Sequence, residues 1–184
     1  LYDKDATPVG IRTLLSKTKK KMKGKSKARF VFFIASHGIL DEDGRGWICC
    51  YGCDTTELDC TCIRMQTLRD FSEGLHCSHQ MYFLDMCHAG SFLTGTRAAP
   101  TKYEQALLAS PAIYGMTAVT KDQEAIESEG HGVFTKLLVD ALCGNVDTRE
   151  RNYVTGTELF SYVQRGVLQE ASRRGLVQVP KYQP

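Results

Sequence analysis

No apolar run in the 184 residues approaches the roughly 20 needed to cross a bilayer, which excludes a membrane-spanning helix and leaves no membrane partner to expect. Internal repeats and long low-complexity tracts are also missing, so solenoid and fibrous architectures drop out. The start, Leu1-Tyr2-Asp3-Lys4-Asp5, has neither an initiating methionine nor the apolar stretch of a signal peptide, so a processed or cut terminus is expected there. Acidic residues are absent from 17–29, where Lys17, Lys19, Lys20, Lys21, Lys23, Lys25, Lys27 and Arg29 place eight positive charges. No aromatic residue interleaves these lysines as a base-stacking platform requires, so no nucleic-acid partner is expected. The run reads instead as the solvated end of a helix, continuing into an exposed loop.

What is present is ordinary globular material. Hydrophobic residues at 42% and charged residues at 24% suit one sizeable core, and the length suits a single domain over 1–184. Eight cysteines without a secretory signal point to thiols in a reducing cytoplasm rather than to the disulfide framework of a small secreted domain. Helical and strand periodicities alternate. After Pro8, the spacing of Val9, Ile11, Leu14 and Leu15 predicts a helix to about Met22. Residues 29–36 predict a buried strand, and residues 47–51 a short one. Met65, Leu68, Phe71 and Leu75 predict a helix ended near Gly74. Strands follow at 80–85 and 112–118, helices at 133–142 and 157–174, and a last short strand at 176–179. Between them, 93–110 is a loop rich in Thr, Ala and Gly. Alternation of this kind builds an α/β fold with a mostly parallel sheet between helical layers.

Two strands carry the chemistry. Phe30-Val31-Phe32-Phe33-Ile34-Ala35 empties into Ser36-His37-Gly38, and Met81-Tyr82-Phe83-Leu84-Asp85 into Met86-Cys87-His88-Ala89-Gly90. In an open parallel sheet, ligands bind beyond the carboxyl ends of the strands, so adjacent strands of this type would bring an imidazole and a thiol together. A thiol beside an imidazole is a nucleophile for a carbonyl carbon. Glycine at 38 lets main chain approach closely, which suits the backbone N–H groups of Gly38 and Cys87 as oxyanion donors. His88 adjoins the nucleophile as a neighbour, and His131 reads as a loop residue ahead of a helix.

The separation of His37 and Cys87, 50 residues, is the spacing at which caspases carry the same pair. Ser36-His37-Gly38 together with Asp85-Met86-Cys87-His88-Ala89-Gly90 resembles the dyad of the caspase and metacaspase-like cysteine peptidases, the caspase-hemoglobinase fold. Residues 47–54 resemble the hairpin and Asp-containing turn after the histidine in metacaspase-like members. Residues 114–118, 122–127 and 132–135 are similar to their next strand, acidic loop and helix start. Caspases place Gln-Ala before the cysteine, whereas Asp85-Met86 stands here, which directs the resemblance to metacaspases or orthocaspases. In those enzymes an Asp at this place helps form an acidic pocket, which implies cleavage after Arg or Lys with Asp85 as the substrate-binding carboxylate.

The resemblance implies a three-layer caspase-like domain, with 1–92 matching a large subunit, 93–110 a loop and 111–184 a small subunit. Family members open with a further strand and helix, and this sequence begins after them, so the expectation is either a truncated sequence or a separate N-terminal fragment that completes the sheet. Arg97 and Lys102, in the loop, are the expected self-processing positions. Protein or peptide substrates with Arg or Lys before the cut follow from the same likeness. The competing class is a catalytically silent caspase-like interaction module, using the basic run or the cysteine-rich hairpin.

Neither cofactor nor metal is expected. Cys50 and Cys53 have ligand-pair spacing, but Cys60 and Cys62 are set too tightly for the usual zinc knuckle and no histidine follows at ligand distance. Cys49, Cys50, Cys53, Cys60 and Cys62 therefore read as packing thiols. Asp41, Glu42 and Asp43 form too sparse a set for calcium, which wants many converging oxygens. Calcium-independent activity is expected.

Overall fold

The computed structural model describes residues 1–88, 112–119, 125–128, 130–146 and 153–183. Arg97 and Lys102, with the whole of the 93–110 loop, lie outside the described residues.

Thr7 accepts the Gly10 N–H at 3.1 Å and Pro8 takes the first helical position, so helix α1 (Pro8–Met22) begins where its sequence signals it. Its apolar face is narrower than the spacing suggests. Ile11 and Leu15, one turn apart, are buried, while Val9 stays 73% exposed. Lys19, Lys20 and Lys21 occupy its last turn, where cations suit the negative end of the helix dipole.

Strand β1 (Arg29–Ala35) leads into an antiparallel excursion of β2 (Gly38–Leu40), β3 (Gly46–Cys49) and β4 (Cys62–Arg64), with the one-turn helix α2 (Leu58–Thr61) before β4. Helix α3 (Met65–Glu73) returns the chain to β5 (His79–Asp85), and β6 (Ala112–Thr117) follows. A small hairpin, β7 (Glu127–Ser128) and β8 (His131–Gly132), precedes α4 (Val133–Asp140); α5 (Gly156–Arg173) and β9 (Lys181–Gln183) finish the chain.

The main sheet has the order β1-β5-β6-β9, with the first three strands parallel and β9 antiparallel. Because side chains alternate across a strand, Tyr82 and Leu84 of β5 face one way and Phe83 the other. The first pair joins α1 and α3 in one core with Ile11, Leu15, Met65, Leu68 and Phe71. Phe83 joins Met116 and the stripe Leu159, Val163, Val167 and Ala171 of α5, spaced by four, in a second core that includes Phe134 and Leu138 of α4. The result is the three-layer α/β architecture expected, a mostly parallel sheet between helices.

The ends of the chain differ from expectation. The last strand is Lys181–Gln183, after Pro180, and not 176–179. Leu176 is 52% and Val177 70% exposed, so their apolar character marks no core face, and the buried residue of that stretch is Gln178. Helix α4 stops at Asp140 and passes into a wider π turn, Ala141–Asn145, where Gly144 has φ +105°. His131 belongs to β8 rather than to a loop.

Candidate active site

The parallel pairing of β1 with β5 runs in register from Arg29 opposite His79 to Ala35 opposite Asp85. Its ladder extends one step further, where the Ser36 N–H reaches the Asp85 carbonyl at 3.2 Å. His37 and Cys87 thus leave neighbouring strands at the same, carboxyl-terminal rim. His37 is exposed and Cys87 half-buried, so both side chains are open to solvent at that rim.

Gly38 is buried directly against the Cys87 main chain: a Cβ there would lie 2.0 Å from the Cys87 carbonyl oxygen. Only glycine permits that approach. The backbone of His37 is also held from the hairpin side. Its carbonyl accepts the Cys49 N–H at 2.9 Å, and the Ser36 hydroxyl donates to the Cys49 carbonyl at 2.5 Å. On the other side, the Ala125 N–H points at Cys87 Sγ from 3.4 Å. His88, next in the chain, sits at φ +57°, a left-handed conformation that non-glycine residues adopt rarely and that clusters at functional turns.

Asp85 follows the alternation of Phe83 and faces α4. It is 6% exposed, and its carboxylate accepts both the N–H of Thr135, at 3.2 Å, and the Thr135 hydroxyl. Gly132 packs on it so closely that a Cβ would meet Asp85 Oδ2 at 2.2 Å. Burial raises the Asp85 pKa, the two Thr135 hydrogen bonds oppose the rise, and the charge of Glu127 adds to it. The ion pairs found among the described residues do not include Asp85.

Two contributors have no signal in the linear pattern. Thr135 lies in an apolar helix start, and Gln178 in a stretch that reads as strand. Gln178 is fully buried, donating to the Ala118 carbonyl at 3.0 Å and accepting the Ile126 N–H at 2.8 Å. It thereby fixes the segment that carries the Ala125 N–H toward Cys87.

The acidic run before β3 is spent on local structure. Asp41 accepts from Trp47 Nε1 at 3.0 Å and from the Arg45 N–H at 2.8 Å, and Asp43 pairs with Arg45 at 2.5 Å. The Trp47 hydrogen bond, ahead of the Arg45 contacts, lowers the Asp41 pKa. Asp54, in the turn after the hairpin, accepts the N–H and hydroxyl of Thr56 at 2.9 and 2.7 Å, which lowers its pKa. Among the described residues, no helix is long and apolar enough to cross a membrane.

No curated protein sequence matches the chain. Among solved structures, it is similar to the crystal structure of a protein from Geobacter sulfurreducens, with a TM-score of 0.59 at 15% identity, covering 99% of this chain and 74% of that one. That likeness speaks for the fold. The family profile described as caspase domain, of the Peptidase C14 group, matches residues 2–184, and over that span the chain belongs to the caspase family of cysteine peptidases.

Proposed function

We infer that the chain is a cysteine endopeptidase that cuts after Arg or Lys through His37 and Cys87, without calcium. The observation that carries this reading is the shared rim of β1 and β5, with Gly38 pressed against the Cys87 main chain. Cys87, its proton taken by His37, attacks the scissile carbonyl carbon to form a tetrahedral oxyanion. The N–H groups of Gly38 and Cys87 receive that oxyanion, since main-chain donors need no side chain to aim them. His37 then returns the proton to the leaving amine, and water hydrolyses the thioester.

Specificity rests on Asp85. A carboxylate taken out of water beside the nucleophile, with Glu127 adding like charge, favours a guanidinium or ammonium and repels an acidic side chain. Calcium independence is supported by the engagement of Asp41 and Asp43 with Arg45 and Trp47. Activity is expected to stay constant on titration with calcium or with a calcium-selective chelator.

Further parts of the same reading are a single domain with large- and small-subunit-like parts, self-cleavage after Arg97 or Lys102, and a cytoplasmic setting that suits eight free cysteines. Completion of the sheet by a further strand and helix is supported by β1, which is the edge strand of the main sheet and whose outer face leaves Val31 and Phe33 64% and 47% exposed. The deciding assay is hydrolysis of an Arg-capped fluorogenic peptide by the wild type and by Cys87→Ala and His37→Ala. Turnover lost in both variants is expected; turnover that survives Cys87→Ala, or is missing from the wild type, refutes the reading. Mass spectrometry of active protein, compared with Cys87→Ala, checks the loop for self-cleavage.

A further inference from the structure

The hairpin that holds the His37 backbone also gathers three thiols that the peptidase chemistry does not use. Cys49 closes β3 and Cys62 opens β4, and the two stand directly opposite in the antiparallel register. Cys53 is folded back toward them by a tight turn, in which its N–H reaches the Cys50 carbonyl at 3.0 Å and Gly52 takes φ +73°. The Sγ atoms of Cys49, Cys53 and Cys62 lie within 4.8 Å of one another, and those of Cys53 and Cys62 are 2.9 Å apart. That contact is inside the about 3.5–4.0 Å at which non-bonded heavy atoms pack best. The loop is braced around the cluster: Thr61 Oγ1 accepts the Asp54 N–H at 3.0 Å and lies 2.8 Å from the Asp54 carbonyl and 2.9 Å from the Glu57 carbonyl.

We propose that Cys49, Cys53 and Cys62 bind a thiophilic d10 divalent ion of the zinc class, with its fourth position open to water. At the usual Zn–S length of about 2.3 Å, tetrahedral thiolates stand about 3.8 Å apart, so each sulfur needs to move by about 1 Å or less from its place here. Cys62 is buried, whereas Cys49 and Cys53 are half-buried, so the cluster has a sealed side and an accessible one. The remaining hairpin thiols stand apart. Cys50 Sγ packs in the core with its contact to the Ile48 carbonyl, and Cys60 is exposed on α2. A Cys53–Cys62 disulfide would use two sulfurs and strand the third; a metal ion uses all three. On binding, each thiol yields its proton to solvent as its sulfur–metal bond forms, with no change of oxidation state.

The consequence reaches the peptidase site through the hydrogen bonds that Cys49 makes to Ser36 and His37. An ion that ties β3 to β4 fixes Cys49, whose N–H holds the His37 carbonyl at 2.9 Å. Binding itself is independent of the peptidase reading; only its effect on turnover rests on that reading.

The test uses the full chain carrying Cys87→Ala, which removes the nucleophilic thiol as a rival ligand, under a non-thiol reductant. Cobalt(II) serves as the optical probe and zinc displaces it. One ion per chain with thiolate-to-cobalt charge-transfer absorption is expected. It should vanish in each of Cys49→Ser, Cys53→Ser and Cys62→Ser, and persist in Cys60→Ser and Cys143→Ser. Differential alkylation read by mass spectrometry needs no substitution in the hairpin: zinc should protect Cys49, Cys53 and Cys62 together and leave Cys60 and Cys143 labelled. The site is overturned by absence of the absorption and of the protection, or by loss of binding in Cys60→Ser. It is equally overturned by a Cys53–Cys62 disulfide that forms in air as readily with stoichiometric zinc as without it.

Discussion

The burial of Asp85 weakens the unliganded fold and, in the proposed function, is what equips its carboxylate to recognise a cation. Desolvation raises its folded-state pKa above the ordinary carboxylate value, so the native state binds the proton more tightly than the unfolded chain does. Its contribution is therefore most favourable when protonated at low pH, and it declines as pH rises from the ordinary carboxylate range through the raised folded value. Asp85→Asn removes that decline. The variant is expected to gain melting temperature relative to wild type at neutral pH and to lose the advantage near pH ~4, as read by thermal denaturation across pH. On the proposed specificity, the same change deletes a charge-assisted contact to the substrate guanidinium, worth about 1.5–3 kcal/mol, so kcat/KM on Arg peptides should fall about tenfold to 150-fold. Unchanged Arg-peptide turnover would remove Asp85 from the specificity pocket. Gly38 allows a purely steric test. Gly38→Ala forces a methyl to within 2.0 Å of the Cys87 carbonyl oxygen, and overpacking of that kind costs about 1–3 kcal/mol. Urea denaturation should show the loss, and peptidase turnover should fall with it.

Among the elements, those with long periodic patterns and chemical punctuation are the ones readable in advance. Helix α5 repeats Leu159, Val163, Val167 and Ala171 at intervals of four and opens with a full capping box. Thr155 accepts the Glu158 N–H at 3.2 Å, and Glu158 accepts the Thr155 N–H at 2.9 Å. Thr155→Ala should cost about 1 kcal/mol, seen as a lower urea midpoint with an unchanged slope. Strands β4, β7 and β8 escaped because two or three residues carry no period. The end of the chain misled for a different reason: Leu176 and Val177 have strand-like character but face solvent, while the ladder begins beyond Pro180. The thiol cluster was hidden by counting along the chain. Linear spacing pairs Cys50 with Cys53 and Cys60 with Cys62, yet Cys50 enters the core, Cys60 lies on α2, and the antiparallel register sets Cys49 against Cys62.

Over the whole molecule, two cores on opposite faces of one sheet hold the β1–β5 rim in place. That much was legible, because both strands are apolar runs that end in a reactive residue followed closely by glycine. What crosses from the far end of the chain to Cys87 was not, since a buried glutamine has no periodic signature. Gln178 bridges the Ala118 carbonyl and the Ile126 N–H, Ala118 donates in turn to the Leu84 carbonyl at 2.9 Å, and Ala125 beside Ile126 points its N–H at Cys87 Sγ. Gln178→Leu keeps the volume approximately and leaves a donor and an acceptor buried without their partner, at about 1–3 kcal/mol each. Stability should fall by that order. Because the bridge acts on Cys87 through segment 125–126 and touches no substrate, kcat should fall at temperatures well below the transition while KM holds. Full kcat in a measurably destabilised Gln178→Leu protein would show that the bridge serves the fold alone and that Cys87 takes its position from β5 without help from the chain's end.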